Sequence, residues 1–200
     1  MEHRIGKAKP KVVVYDAYGT ILLSSKVPKV NPYLGIKKWL ISEGISVEDF
    51  ASSLMTYDGS LEEYVFSMAG IVIPPDVLNK YREELNGAIG ALYPRPGIIK
   101  LFQDHLKDGQ SVVVASNLAK DYAMPVQQLL HAVGSLSSRA NTRTVFSFKV
   151  GLLKPDLAFY QHIQSQFAPL SGKDFWMTGD RWKEDVWGPQ QLGWDAQLIG

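Results

Sequence analysis

Four short polar clusters hold the groups that could do chemistry in this chain of 200 residues. Asp16-Ala17-Tyr18-Gly19-Thr20 follows the apolar run Val12-Val13-Val14-Tyr15, and Ser116-Asn117 follows Val112-Val113-Val114-Ala115. Lys154 lies in Gly151-Leu152-Leu153-Lys154-Pro155-Asp156. Gly179-Asp180-Arg181-Trp182-Lys183-Glu184-Asp185 follows Phe175-Trp176-Met177-Thr178. A buried strand that stops at a carboxylate and a Gly turn puts that carboxylate at the C-terminal edge of a sheet, where open α/β sheets bind ligands. Such a carboxylate can attack phosphorus or carbon and form a covalent intermediate. Its charge repels an anionic substrate unless a cation intervenes, and hard divalent cations take oxygen ligands. Asp16 and Asp180 could share one Mg²⁺, with Asp185 beside them. Lys154 offers a fixed positive charge to the nucleophile and the transition state. Ser116, Asn117 and backbone N–H groups can donate to phosphoryl oxygens, and Thr20 can steady the turn or the nucleophile. Singly, each cluster has an ordinary explanation as a turn acid, a strand-to-helix cap, a loop lysine or a dipole-favoured acid. Together, in this order and at βα-type spacing, they point to one site.

The elements that must position these clusters alternate. Short apolar runs at 12–15, 111–115, 144–148, 175–178 and 196–199 read as buried strands. Between them, Ile98, Ile99, Phe102 and Leu106 share a helical face with Gly109 as a stop, and 154–167 and 184–192 read as helices. This pattern predicts an α/β fold: a Rossmann-like three-layer α/β/α core with a mostly parallel five-stranded sheet. About ninety residues separate the first two strands, far more than the ~30 of a βαβ unit. The stretch 22–94 is helical in pattern. It carries capping boxes at Ser46-Val47-Glu48-Asp49 and Ser60-Leu61-Glu62-Glu63, and a helix start at Pro74-Pro75-Asp76. Leu78, Tyr81, Leu85 and Ile89 follow on one stripe, and Tyr93-Pro94-Arg95-Pro96-Gly97 reads as a return linker. The expected organisation is a catalytic core of 1–21 and 95–200 with an all-helical cap, 22–94, inserted above Asp16. The polar stretch 135–143 reads as an exposed loop.

Composition narrows the function classes. Net charge is +1, so no field favours nucleic acid or membrane. There is no cysteine, which excludes disulfides, thiolate catalysis and Cys-ligated metal. Residues 1–11 are polar and basic without an apolar core, and no run approaches a membrane span, so a cytoplasmic location is expected. His3, His105, His131 and His162 lack ligand spacing and read as structural or solvated. Of the tryptophans near the C-terminal clusters, Trp176, Trp187 and Trp194 read as core, while Trp182 could line the site. Arg181 reads as a salt-bridge partner of Asp180.

The four clusters resemble the haloacid dehalogenase superfamily of aspartate-nucleophile hydrolases, over nearly the whole chain and including the insertion point of that superfamily's first cap class. The resemblance implies Asp16 as nucleophile, Ser116 and Lys154 as stabilising groups, and Asp180 as metal ligand supported by Asp185. Tyr18 departs from the phosphatase pattern, which carries a second Asp there as acid, base and, through its carbonyl, metal ligand. Tyr18 keeps the carbonyl for Mg²⁺, but a phenol of ordinary pKa near ~10 is a poor base at neutral pH. The first motif is instead similar to that of 2-haloacid dehalogenases, which also pair Gly19 and Thr20 equivalents with a Ser-Asn, a Lys and a Tyr like Tyr160. On that resemblance Gly19, Tyr18, Asn117 and Tyr160 fall among the substrate-binding residues. Asp180 and Trp182 stand where those dehalogenases usually carry Ser and Asn. The early cap residues 22–57 contain Lys26, Lys29, Lys37 and Lys38 but no arginine. Two unpaired carboxylates repel, so Asp180 beside Asp16 favours a cation between them. Three readings stand: a Mg²⁺-dependent phosphatase of a small phosphorylated metabolite, a dehalogenase-like carbon–halogen hydrolase, and a non-enzymatic binding protein on the same scaffold. The expected partner is a small-molecule substrate, anionic in charge, with no nucleic acid and no membrane, and the sequence is silent on oligomeric state.

Overall fold

The computed structural model describes residues 9–26, 31–133 and 141–199. Most of the expected loop 135–143, with His3 and Lys29, lies outside the described residues. A five-stranded, wholly parallel sheet forms the centre, in the order β5-β4-β1-β6-β7. Its strands are β1 (Val12–Tyr15), β4 (Ser111–Ser116), β5 (Thr142–Phe146), β6 (Phe175–Gly179) and β7 (Asp195–Leu198). The alternation of side chains along β1 divides the core in two. Val13 and Tyr15 face α5 (Ile98–Lys107) and α6 (Ala123–Ala132), with Ile98, Phe102 and Leu106 in the same cluster. Val12 and Val14 face α8 (Leu157–Ser165), meeting Phe159, Tyr160, Ile163 and the Trp194 ring. Helices therefore cover both faces, which is why the strands read as unbroken apolar runs. Among the described residues no helix is long and apolar enough to cross a membrane.

Between β1 and α5 the chain leaves the sheet. It passes through β2 (Leu22–Ser24), then α1 (Tyr33–Ser42), α2 (Phe50–Leu54), α3 (Leu61–Ala69) and α4 (Pro75–Ile89), and returns through β3 (Leu92–Pro94). The helices bury their own cluster, including Ile36, Leu40, Phe50, Leu61 and Tyr81, and that cluster receives Ala119 from the segment after β4. The Ser60–Glu63 capping box forms, with Ser60 N donating to Glu63 at 2.7 Å and Glu63 N to Ser60 at 3.2 Å. The box expected at 46–49 does not: α2 starts at Phe50, and Asp49 caps it without a side-chain bond. Contacts with the main body are polar as well as apolar. Tyr81 donates to Asp121 at 2.7 Å, and Asp58 lies 3.2 Å from Lys149 and 3.5 Å from Lys120.

Several expectations are corrected. The inserted stretch is not all-helical: β2 and β3 pair as an antiparallel ribbon, Leu22 opposite Pro94 and Ser24 opposite Leu92. Tyr93-Pro94 is thus a strand rather than a linker. The strand expected at 144–148 is β5, two residues earlier. Its ladder ends at Phe146 because Ser147 turns inward to accept from Leu118 N at 3.0 Å, starting the short helix α7 (Ser147–Val150). The helix expected at 154–167 starts only at Leu157, where Asp156 accepts from Ala158 N at 3.0 Å as N-cap. The one expected at 184–192 is a π-helical turn, Trp182–Trp187, running into α9 (Gly188–Gln190).

Candidate active site

Strand register brings the clusters together. Tyr15 is level with Val114 on β4 and Thr178 on β6, so Asp16, Ser116 and Asp180 emerge at one edge of the sheet. Asp16 N still donates to Thr178 O at 3.0 Å, and only then does the chain turn. The turn is closed by Ile21 N and Leu22 N, both donating to Ala17 O at 2.9 Å.

Asp16 is nearly buried and its two donors converge on one oxygen. Ser116 Oγ donates to Oδ1 at 3.0 Å and Lys154 Nζ donates to the same atom at 2.7 Å. Among the described residues Oδ2 has no hydrogen-bond partner, so one carboxylate oxygen is held and the other is presented. Lys154 Nζ also donates to Asp185 Oδ1 at 2.6 Å, with both side chains sealed from solvent. Burial pulls the Lys154 ammonium down, but Asp16 and Asp185 outweigh it and hold the group above its usual value. Burial pushes the Asp185 carboxyl up, against the opposing pull of Lys154. The triad keeps a charged lysine beside Asp16.

Lys154 is placed by Asn117. The amide donates from Nδ2 to Lys154 O at 2.8 Å and accepts from Lys154 N at 2.8 Å. Both ends of the Asn117 amide are therefore engaged with the Lys154 backbone. Asp185 is placed by the π turn, where Arg181 N donates to its Oδ2 at 3.0 Å. Gly179 leaves room for it: a Cβ there would lie 2.1 Å from Asp185 Oδ2. Asp180 Oδ1 is buried without a hydrogen-bond partner, and a Cβ on Gly19, whose φ is +91°, would lie 2.1 Å from Asp180 Oδ2. Ligand oxygens of Asp16, Asp180 and Asp185 all lie within 4.8 Å of one another. An orphaned carboxylate oxygen beside two other acids, in a recess only glycine allows, fits a hard cation such as Mg²⁺.

The remaining expected residues fall differently. Tyr18 OH donates to Tyr122 O at 2.5 Å, and its ring meets Tyr122 edge-on. Burial first, then Tyr122 and Asp16, push its phenol far above the usual tyrosine range, so it stays protonated at neutral pH. Thr20 Oγ1 is buried and unpartnered, without a bond to Asp16. Tyr160 is fully buried beneath the π turn, donating to Glu184 O at 2.5 Å, with its hydroxyl where a Gly188 Cβ would fall; it supports the turn rather than meeting substrate. Arg181 pairs with Glu184 at 3.1 Å rather than with Asp180. Trp182 and Trp187 are exposed, while Trp194 stacks on Phe175 at 4.7 Å. His105 is structural, bonding Tyr15 at 2.9 Å and Gln110 at 2.6 Å. One residue escaped the sequence reading. Arg95, just past β3, donates from Nε to Thr20 O at 2.6 Å and from Nη2 to Gly19 O at 2.8 Å. Its own amide donates to Ile21 O at 2.8 Å. No motif marked it, because its partners are carbonyls. The Pro-Arg-Pro setting, which fixes the backbone there, was the only available signal.

Above the site lies a cavity of about 510 Å³ between α1, α2, the ribbon and the segment after β4. Its floor includes Gly19, Asn117 and Asp180.

A family model described as haloacid dehalogenase-like hydrolase matches residues 10–193. Solved structures agree in fold. A haloacid dehalogenase family enzyme from Bacteroides thetaiotaomicron, crystallised as a magnesium complex, aligns with a TM-score of 0.64 at 13% identity, covering 96% of this chain and 94% of that one. A predicted haloacid dehalogenase-like hydrolase from Porphyromonas gingivalis aligns at 0.65 and 14% identity, covering 96% and 91%. A predicted phosphoglycolate phosphatase from Haemophilus somnus aligns at 0.56 and 17% identity, covering 98% and 86%. Among curated protein sequences none matches this chain significantly.

Proposed function

Because the chain belongs to the haloacid dehalogenase-like hydrolases, we propose that it is a Mg²⁺-dependent phosphatase of a small phosphorylated metabolite, with Asp16 as nucleophile. The observation that carries the reading is the unpartnered Asp180 oxygen beside Asp16 and Asp185. Mg²⁺ held by Asp16, Asp180, Asp185 and the Tyr18 carbonyl would neutralise the charge of the substrate phosphoryl group. Asp16 Oδ2 attacks phosphorus as the P–O bond breaks and the leaving group departs as its anion, and water later hydrolyses the aspartyl-phosphate, releasing inorganic phosphate and restoring the Asp16 carboxylate. Lys154 and Ser116 fix Oδ1, so the nucleophile approaches with one oxygen in a set direction. Lys154 stays protonated through the cycle. No carboxylic acid stands at Tyr18 to protonate the departing oxygen, so turnover favours acyl and aryl phosphates, whose leaving groups need least help. In this reading residues 1–21 and 95–200 form the catalytic core, and 22–94 form a cap of the first class.

Phosphate release from p-nitrophenyl phosphate, with Mg²⁺ and with EDTA, tests this, using Asp16→Asn as blank. Turnover that needs Mg²⁺ and is lost in Asp16→Asn is the expected result. A dehalogenase-like reading is kept alive by Tyr18 and by the largely apolar cavity. It predicts EDTA-resistant chloride release from 2-chloropropionate, with none from Asp16→Asn.

A further inference from the structure

We infer that the substrate is an aryl phosphate bearing a second anionic group, a carboxylate, at the end of the ring away from phosphorus, and that Lys37 binds that group. The inference rests on the phosphatase reading and names the substrate class of its site. The walls of the cavity are aromatic and aliphatic. Tyr33 lies one turn from Lys37 on α1, and Phe50 one turn from Leu54 on α2, so each helix turns a single face to the space. Tyr122 closes the side. A short aliphatic phosphate would leave these walls wet, whereas a flat ring covers them and gains from offset or edge contacts.

Charge gives the second half of the argument. Among the described residues Asp180 is the only acid lining the cavity, against Lys26, Lys37 and Arg181. Asp180 belongs to the metal cluster and Arg181 is paired with Glu184. Among the described residues, Lys26 and Lys37 have no carboxylate within ion-pair distance. Lys26 is exposed at the rim, but Lys37 is half-buried and held by a helix above an apolar wall. An ammonium without a counter-ion on an otherwise apolar wall is placed to pair with a ligand carboxylate. Asp180, in the acid cluster at the sheet edge, and Lys37, on α1, thus both line the cavity from different elements, and in the inferred substrate the phosphoryl group is assigned to the first and the carboxylate to the second.

Binding of inert phosphonates in the presence of Mg²⁺ tests this by calorimetry. Benzylphosphonate and 4-carboxybenzylphosphonate are compared on the wild type, Lys37→Met and Lys37→Arg. The carboxylated ligand is expected to bind the wild type at least tenfold tighter. Lys37→Met should abolish that advantage while leaving benzylphosphonate affinity within twofold, and Lys37→Arg should restore most of it. Equal affinities on the wild type, or an advantage that survives in Lys37→Met, would overturn the inference. Inorganic phosphate with Mg²⁺ is the control. If it binds and p-nitrophenyl phosphate is hydrolysed while the carboxylate brings no gain, only the substrate class is wrong. If neither phosphate nor either phosphonate binds, the phosphatase reading falls and takes the inference with it.

Discussion

Replacing Lys154 by Met tests the physical core of the site most directly. The Lys154 side chain is sealed from solvent and its ammonium bridges Asp16 at 2.7 Å and Asp185 at 2.6 Å. Met keeps the volume but leaves two buried carboxylates without their counter-ion. Removing one partner of a buried pair costs about 3–5 kcal/mol. Against a domain stability of about 5–15 kcal/mol the variant still folds. At about 2–4 °C per kcal/mol for a chain of this size, Tm should fall by about 6–20 °C in EDTA at pH 8. Burial already pushes Asp185 up, and the variant loses the lysine that opposes it. The folded state then binds a proton there more readily than the unfolded chain does, so the deficit shrinks as pH falls toward the carboxylate range. Mg²⁺ should act in the opposite sense. With the ammonium gone the three acids bind the cation more tightly, and each tenfold gain in affinity restores about 1.4 kcal/mol at saturating metal. Thermal unfolding of both proteins, with EDTA and with 10 mM Mg²⁺, is the assay. A loss below about 1 kcal/mol, or the same Mg²⁺ stabilisation in both proteins, would refute the account of Lys154 as counter-ion to a shared carboxylate cluster.

Other perturbations probe separate parts of the geometry. Gly19→Ala puts a methyl 2.1 Å from Asp180 Oδ2 at a φ of +91°. It should cost about 1–2 kcal/mol of stability and at least tenfold in Mg²⁺ affinity by calorimetry, although no proposed ligand is removed. Arg95→Met frees the Gly19 and Thr20 carbonyls and should lower kcat more than it raises KM for p-nitrophenyl phosphate, with Arg95→Lys intermediate; a pure KM effect would count against positioning. Tyr18→Asp supplies the missing acid and should raise turnover of alkyl phosphates relative to aryl phosphates; an unchanged ratio would show that leaving-group protonation is not what limits the enzyme.

The sheet was legible because its strands are buried on both faces and so read as uninterrupted apolar runs, and because each of the first, second and fourth polar clusters begins where such a run stops. That Asp16, Lys154, Asp180 and Asp185 would lie together followed from residue type and order, but the ion pair between Lys154 and Asp185 did not. What sequence could not supply was direction. Asn117 and Tyr160 carry groups that suit a ligand, yet they bond to the backbone of Lys154 and Glu184. Side-chain chemistry does not say whether a polar group faces the cavity or the loop that builds it. The ribbon was hidden because three-residue strands have too few side chains to show a period, and β3 contains a proline. The end of β5 was misread because Phe148 is as apolar as Phe146, and the break depends on Ser147 finding Leu118, a partner far away in the chain.

Arg95 bears on motion. The two places where the chain crosses between the sheet and the inserted helices are joined as the β2–β3 pair, and Arg95 stitches that pair to the carbonyls of Gly19 and Thr20. The crossing point and the turn after Asp16 are therefore tied together directly. A displacement of the helices pulls on the peptide groups next to Asp16, and a ligand that fixes those groups also fixes where the helices sit. Linkage makes the effect mutual: whatever occupies the cavity beneath α1 and α2 biases the turn after Asp16 by the same free energy with which a ligand at that turn biases the helices.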